Sequence, residues 1–240
     1  AGLSWAVLTE LPRPVGESGG GFGHALLGTL ELVAVACALG LPVGVLAGVY
    51  LSELGGQGVR ASAAGFSADV LAGVPSIVIG VFVYTLVVLA MGHFSALAGA
   101  VALALLMLPT VMRTTEELLR LVPDSLREAG VALGVPRWRV ITRVVLRTGA
   151  GGIATGVMLA VARAAGETAP LLFTAFGNGY WSTRLDAPIA SLPVQIFTYA
   201  VSPYEAWHQQ AWAAALVLVT LVLVLNLLAR AATARRRAWR

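Results

Sequence analysis

Lysine is absent from this 240-residue chain, and all 16 basic residues are arginine. A phosphate-binding loop of the Walker type uses its lysine on the phosphates. That motif is therefore excluded, and any nucleotide-driven step belongs to another subunit. Charge is scarce, at 12% of residues, against roughly 25% in ordinary soluble domains. With 58% hydrophobic residues, the deficit points to a membrane protein built as one bundle. The single cysteine, Cys37, lies in an apolar run. It excludes a disulfide framework or cysteine metal cluster and reads as a small buried apolar residue. No basic segment followed by an apolar core opens the chain, so no signal peptide is visible. No paired His-Glu motif of the metalloprotease type occurs.

Five apolar stretches are long enough to be spans, given that about 20 residues cross the hydrocarbon. They cover 25–51, 69–91, 95–112, 149–175 and 211–229. In the first, Gly40, Gly44 and Gly48 share one helix face, and in the fourth Gly152, Gly156, Ala160 and Ala164 do the same. Small residues at this spacing admit a second helix at close range. Pro42 is a candidate kink, and Glu31 is an ionisable residue in the outer part of its span, where it reaches water or a polar partner. Residues 1–24, with Pro12, Pro14 and a glycine run, read as an extended extracytoplasmic segment with Trp5 at the interface. Gly16 to Gly20 spells G-x-S-x-G, but the strand and helix that this nucleophile turn requires are missing around it. Residues 52–68 read as a short polar connection. His93 falls in a tight turn beside Gly92, exposed to water. Residues 174–210 are rich in aromatics, which favour membrane interfaces, with a helix expected over 187–200.

The arginines fall on one side of these spans. Arg60, Arg113, Arg120, Arg127, Arg137, Arg139, Arg143 and Arg147 group with Arg230, Arg235, Arg236, Arg237 and Arg240. Arg13 and Arg184 fall on the other side, and Arg163 lies within the membrane. The positive-inside rule then places the N-terminus outside and the C-terminus in the cytoplasm, and explains the basic excess without nucleic acid. An outside start without a signal peptide implies one further helix ahead of residue 1.

Residues 114–147 hold helical periodicity broken at Pro123 and Pro136. Ser125 and Glu128 have the capping-box spacing. Two short helices meeting at an angle are expected, with Leu126, Val131, Leu133, Trp138 and Ile141 giving them an apolar docking surface.

The run Glu128-Ala129-Gly130-Val131-Ala132-Leu133-Gly134 resembles the EAA loop of ABC-type importer permeases. The stretches RTTEELLRLVPDSLREAGVALGVPRWRVITRVVL, AVARAAGETAPLLFTAFGN and PIASLPVQIFTYAVSPYEAWHQQAWAAALVL together resemble the A-type permeases of phosphate importers, from about Leu11 onward. The resemblance implies an all-α membrane protein with the type I ABC importer transmembrane fold. It holds five spans of the family's six, with the first missing, plus cytoplasmic coupling helices. The permease domain is 25–230, with the coupling loop at 114–147 and a basic cytoplasmic tail at 231–240. It implies ATPase coupling through Glu128, Ala129, Gly130, Gly134 and Pro136. Partners implied are a C-type permease subunit, a cytoplasmic ATPase dimer that binds ATP and Mg, and a periplasmic or lipid-anchored phosphate-binding protein. The resemblance further implies that this chain holds no cofactor and no catalytic site of its own and that it lies in the inner membrane. Two residues depart from the family: Gly130 stands for alanine, and Arg147 stands for the proline usual after the Val-Leu pair.

A charge at mid-span costs about 2.5 to 3.5 kcal/mol on insertion scales. That cost marks Arg163 as a pathway residue, with Glu167 one turn later as its ion partner. Arg113, where the third span ends, either receives an anion leaving inward or anchors the helix at the headgroups. The alternatives are a permease for molybdate, tungstate or sulfate, a passive anion channel, or a membrane enzyme using Glu167 with His93 or His208. A channel has no use for the docking loop, and the two histidines fall at different predicted depths from Glu167.

Overall fold

The structure, a computed structural model, describes residues 5–14, 19–56 and 58–237. Most of the G-x-S-x-G run, and the side chains of the tail arginines, lie outside the described residues. The described part is helical. A short α1, Trp5–Thr9, replaces the extended start expected from the sequence. Val7 O accepts from the Phe22 N–H at 2.9 Å, which folds this segment against the buried Phe22. The first long helix, α2 (Gly23–Val49), continues through a π-helical turn, Tyr50–Leu54. Pro42 sits inside it.

The polar connection expected over 52–68 is instead helical. Most of it belongs to α3, Val59–Gly73, which also takes in Asp69. The chain then bends by 108° into α4, Ser76–Val83, which runs on through a π turn, Tyr84–Val88, and α5, Leu89–Met91. The bend has a local cause. Pro75 disfavours helical geometry at the residue before it, and Val74 is extended at φ −73°, ψ 130°. The helix through the second apolar stretch therefore starts at Ser76 and not at Asp69. At Gly92 the chain takes φ +75°, the left-handed value that glycine tolerates, and turns back.

The third span is longer than its apolar run. It is α6, Ala96–Arg120, opened by Ser95, whose hydroxyl accepts from the Ala98 N–H. Pro109 lies within it, and Arg113 is a residue of the helix and not its terminator. A short α7, Asp124–Ala132, follows. The second short helix expected in this loop is the foot of the next long one. That helix runs as α8 (Arg137–Val140), a π turn (Ile141–Val145) and α9 (Leu146–Ala165). It stops at Gly166 and not at residue 175. A short α10, Ala169–Leu172, and an irregular stretch then lead to α11, Leu192–Ala200, and to α12, Glu205–Arg237. Among the described residues, four helices are long and apolar enough to cross a membrane, or five if the α3–α5 bent pair counts as one span.

The bundle centres on α6, packed between α2 and α9. The two small-residue stripes lie in these seams. A Cβ on Gly44 would stand 2.9 Å from Val111 side-chain carbons, and on Gly48 2.6 Å from the Met112 carbonyl oxygen. On the other side, a Cβ on Gly156 would stand 2.1 Å from Thr114 Cγ2. Leu103, Met107, Val111, Ala160 and Ala164 fill the core between. At the aromatic end, Thr29 Oγ1 donates to Ala25 O and accepts from the Leu192 N–H at 2.8 Å, seating α11 on α2. The helix expected over 187–200 is thus packed into the bundle and begins at Leu192.

Gly156→Leu should separate α6 from α9. Overpacking of a filled seam costs about 1–3 kcal/mol or more. A lower unfolding temperature in detergent and a loss of monodisperse protein are expected, whereas Gly179→Ala, which meets nothing within 4 Å, should behave as the parent.

Candidate functional site

The arginine-rich end carries the α7 knob. Pro123 holds the N-cap position at φ −57°, ψ 138°, and no side chain caps the helix. The expected Ser125–Glu128 capping box is therefore not formed, because Ser125 already lies inside the first turn behind Asp124. At the other end Gly134 takes φ +75°, its N–H reaching Val131 O and that of Val135 reaching Gly130 O. Pro136 then caps α8. Glu128, Ala129, Gly134 and Pro136 are exposed, and Gly130 is half-buried. A Cβ on Gly130 would stand 2.8 Å from Val140 Cγ2. Beyond its poorer helix propensity, Gly130 lets α7 approach α8.

What holds this knob was not visible in the sequence. The Glu53 side chain, 4% exposed, receives the fork of Arg127: Nη2 to Oε1 at 2.7 Å and Nε to Oε2 at 3.2 Å. Arg127 Nη2 also donates to Leu119 O at 2.8 Å, and Nη1 to Asp124 at 3.0 Å and to Val122 O. Arg137 donates to the Glu53 carbonyl. Hydrogen bonding to Glu53 holds the Arg127 guanidinium above its ordinary pKa, against the opposite push of burial. One residue on the π turn below α2 thus gathers the ends of α2, α6, α7 and α8, its carboxylate through Arg127 and its backbone carbonyl through Arg137. Under the knob, Leu119, Val122, Val140, Ile141 and Val145 form a small core of their own. Its outer face leaves Leu133 82% exposed with Val131 and Trp138, and the Arg139 guanidinium lies 5.0 Å from the Trp138 ring centroid.

Arg163 and Glu167 occupy a different level. Gly152 meets Leu118, and Gly156 meets Thr114, so α9 and α6 run antiparallel. Arg163 is about two turns past Gly156, which sets it roughly halfway along α6. The sequence reading set the pair on one continuous helix. Instead α9 ends between them, with the Gly166 N–H on Arg163 O. A cation in the last turn of a helix complements the dipole there. The pair survives the break: Arg163 Nε lies 3.5 Å from Glu167 Oε1. Glu167 is 15% exposed, while the Arg163 side chain, 59% exposed, projects from the chain's own packed surface.

Arg113 has a fuller set of partners. Nε donates to Asp69 Oδ1 and Nη1 to Glu116 Oε2, each at 2.8 Å, and Nη2 bonds Gly65 O and Asp69 Oδ2. It ties α3 to α6 and lines a cavity of about 490 Å³. Asp69, Glu116 and Glu53 were not among the sequence candidates: Glu116 lay in a charged run, Glu53 in a polar stretch, and Asp69 at the start of an apolar one. His93 is exposed in its turn, and His208 pairs with Glu205 on α12 at 3.5 Å, so neither joins Glu167.

Glu53→Gln should loosen the knob. Breaking a buried pair by removing one charge costs about 3–5 kcal/mol. Trypsin should then cut at Arg127 and Arg137 about tenfold faster or more, since cleavage follows local opening. Parent-like protection would mean that the carbonyl contacts of Arg127 suffice.

Residues 40–238 match the family described as binding-protein-dependent transport system inner membrane component. A phosphate transport system permease protein PstA of Yersinia pestis is 50% identical over 236 residues, 98% of this chain and 80% of that one. PstA of Xylella fastidiosa is 47% identical over 98% and 82% of the two chains. PstA 1 of Mycobacterium tuberculosis is 47% identical over 91% and 72%. Among solved structures, the inward-facing MetNI methionine ABC transporter superposes with TM-score 0.68 at 20% identity, over 89% of this chain and 96% of that one. A bacterial ABC transporter for alginate import gives 0.65 at 15% identity, over 89% and 79%. The fold is therefore that of a type I ABC importer transmembrane domain, and the chain belongs to the binding-protein-dependent transport system inner membrane component family, among its PstA-type permeases.

Proposed function

We propose that this chain is a permease subunit of an ATP-driven importer that moves inorganic phosphate across the bacterial cytoplasmic membrane. The observation that carries the reading is 50% identity, over nearly the whole chain, to a phosphate transport permease. Arg163 supports it physically. A phosphate anion cannot enter hydrocarbon unless its charge is met. A guanidinium stays protonated and presents a planar fork that fits phosphate oxygens. Arg163 holds such a fork at mid-depth on an open side of the chain, with Glu167 behind it to orient the group and to keep the anion from binding too tightly. Arg113 stands nearer the arginine-rich end, at the inner mouth of the same pathway.

The α7 knob is the coupling element. Glu128, Ala129, Gly130, Gly134 and Pro136 shape it, and its exposed apolar face fits a groove in an ATPase dimer, where ATP and Mg are bound. A periplasmic or lipid-anchored binding protein delivers phosphate to this chain and a C-type permease partner. When the ATPase subunits close, the knob is pulled, and Glu53 passes the displacement to α2 and α6. This chain performs no bond chemistry itself. The arginine-rich end and the C-terminus face the cytoplasm.

Three measurements test these statements. Cysteines placed at Arg120 and Arg184, with Cys37 removed, should label from opposite sides of the membrane; labelling from one side would end the topology. In the reconstituted complex, Arg163→Gln should assemble and abolish phosphate uptake, and Arg163→Lys should restore little, because an ammonium lacks the bidentate fork. Normal uptake by Arg163→Gln would reduce the residue to a structural part, and better uptake of sulfate or molybdate than phosphate would reassign the substrate. Ala129→Glu would bury an unpaired charge in the groove. It should lose both co-purifying ATPase and ATP-driven uptake. Full retention of both would place the coupling surface elsewhere.

A further inference from the structure

The fork of Arg113 is already filled by a carboxylate that can leave. We propose that Asp69 is an internal counter-ion, which competes with the transported oxyanion for Arg113 and releases the anion from the inner mouth of the pathway. This rests on the phosphate reading above. Both Asp69 oxygens engage Arg113, one on Nε at 2.8 Å and one on Nη2. The same two-point geometry is what a guanidinium offers to phosphate, so the two anions exclude each other at this fork.

The surrounding charges point the same way. Glu116 is only 6% exposed, and its two oxygens are divided between Arg113 at 2.8 Å and Arg120 at 2.7 Å. It stays in place. Asp69 is 62% exposed and lies on α3, a separate element joined by a glycine-bearing turn at one end and the sharp corner at Pro75 at the other. Rotation of its side chain into water gives up little burial. With Asp69 in place, the two arginines and two carboxylates balance. With Asp69 swung out, the cluster carries one uncompensated positive charge beside a cavity of about 490 Å³, lined also by Ser62 and Gly65. A water takes about 30 Å³, so the cavity has room for an oxyanion with part of its hydration shell. An anion arriving from Arg163 meets a cation there, and the return of Asp69 expels it.

The test uses the full complex, with partner permease, ATPase and binding protein, in vesicles. The readout is the orthophosphate concentration on the ATPase side that halves ATP-driven uptake. Asp69→Asn and Asp69→Ser leave Arg113 without its competitor. Each should lower that concentration by about fivefold, the upper range for a well-formed exposed ion pair. Asp69→Glu should return it close to the parent. A merely structural strut would lower maximal uptake in these variants and leave the half-inhibiting concentration unchanged, which would overturn the proposal. Failure of both neutral variants to assemble would also overturn it by assigning Asp69 to the fold. Absence of phosphate uptake by the unaltered complex would instead defeat the substrate reading itself.

Discussion

Close backbone approach on both sides of α6 is the constraint from which the rest follows. Lipid tails are as apolar as leucine, so helices in a bilayer gain little from hiding apolar faces from one another and depend on packing at short range. Gly40, Gly44 and Gly48 bring α2 onto one side of α6, and Gly152 and Gly156 bring α9 onto the other. Because these seams allow no slack, α2, α6 and α9 have a defined register. That register sets Arg163 at the depth of the middle of α6, and sets Glu53 beneath the end of α6 where Arg127 can reach it.

The two ends of the bundle use polar chemistry differently. At the arginine-rich end, carboxylates from early in the chain receive arginines from later elements: Glu53 takes Arg127, and Asp69 takes Arg113. The first pair is buried and joins the knob to two long helices. The second has one exposed partner. A buried pair is costly to break on one side, whereas an exposed carboxylate exchanges readily with water or another anion. One pair therefore suits the transmission of force, and the other suits a step that must reverse in every cycle.

Between these ends, α9 stops at Gly166, short of the aromatic end. The helix is interrupted over 166–168, and α10 then packs Pro170 against Gly80, where a Cβ would lie 2.6 Å from the proline Cα. Irregular backbone at membrane depth is tolerated only when it is buried in protein or lines a polar cavity. Here the irregular residues are few: Gly166 is exposed, Glu167 and Thr168 are half-buried, and Arg163 beside the break is exposed. The break thus presents a cation from the end of a helix, where the dipole also favours it.

Much of this was open to the sequence because it depends on local pattern. Apolar length determined the helical membrane class, glycine spacing determined the seams, and the Pro123 and Gly134 breaks delimited the knob. The resemblance of residues 128–134 and their surroundings led to the family. The arginine asymmetry supplied an orientation that the fold by itself does not address. Other features required tertiary structure. Glu53 and Arg127 are 74 residues apart, and Asp69 and Arg113 are 44 apart. Pairs at such separation leave no periodic trace, so Glu53 read as part of a polar connection and Asp69 as the start of a span. The end of α9 was hidden because apolar residues resume after Glu167 and run on to Ala175, so Gly166 and Pro170 read as interruptions within one span and not as its end. Gly130 looked like a weakened helix position until Val140 was found against it. Composition and spacing thus determined that long apolar helices form and which of their faces are small or apolar. The bend at Pro75 and the packing about α6 decided which charges meet, because ion pairs between distant residues depend on where the helices stand and not on the residues beside them in the chain.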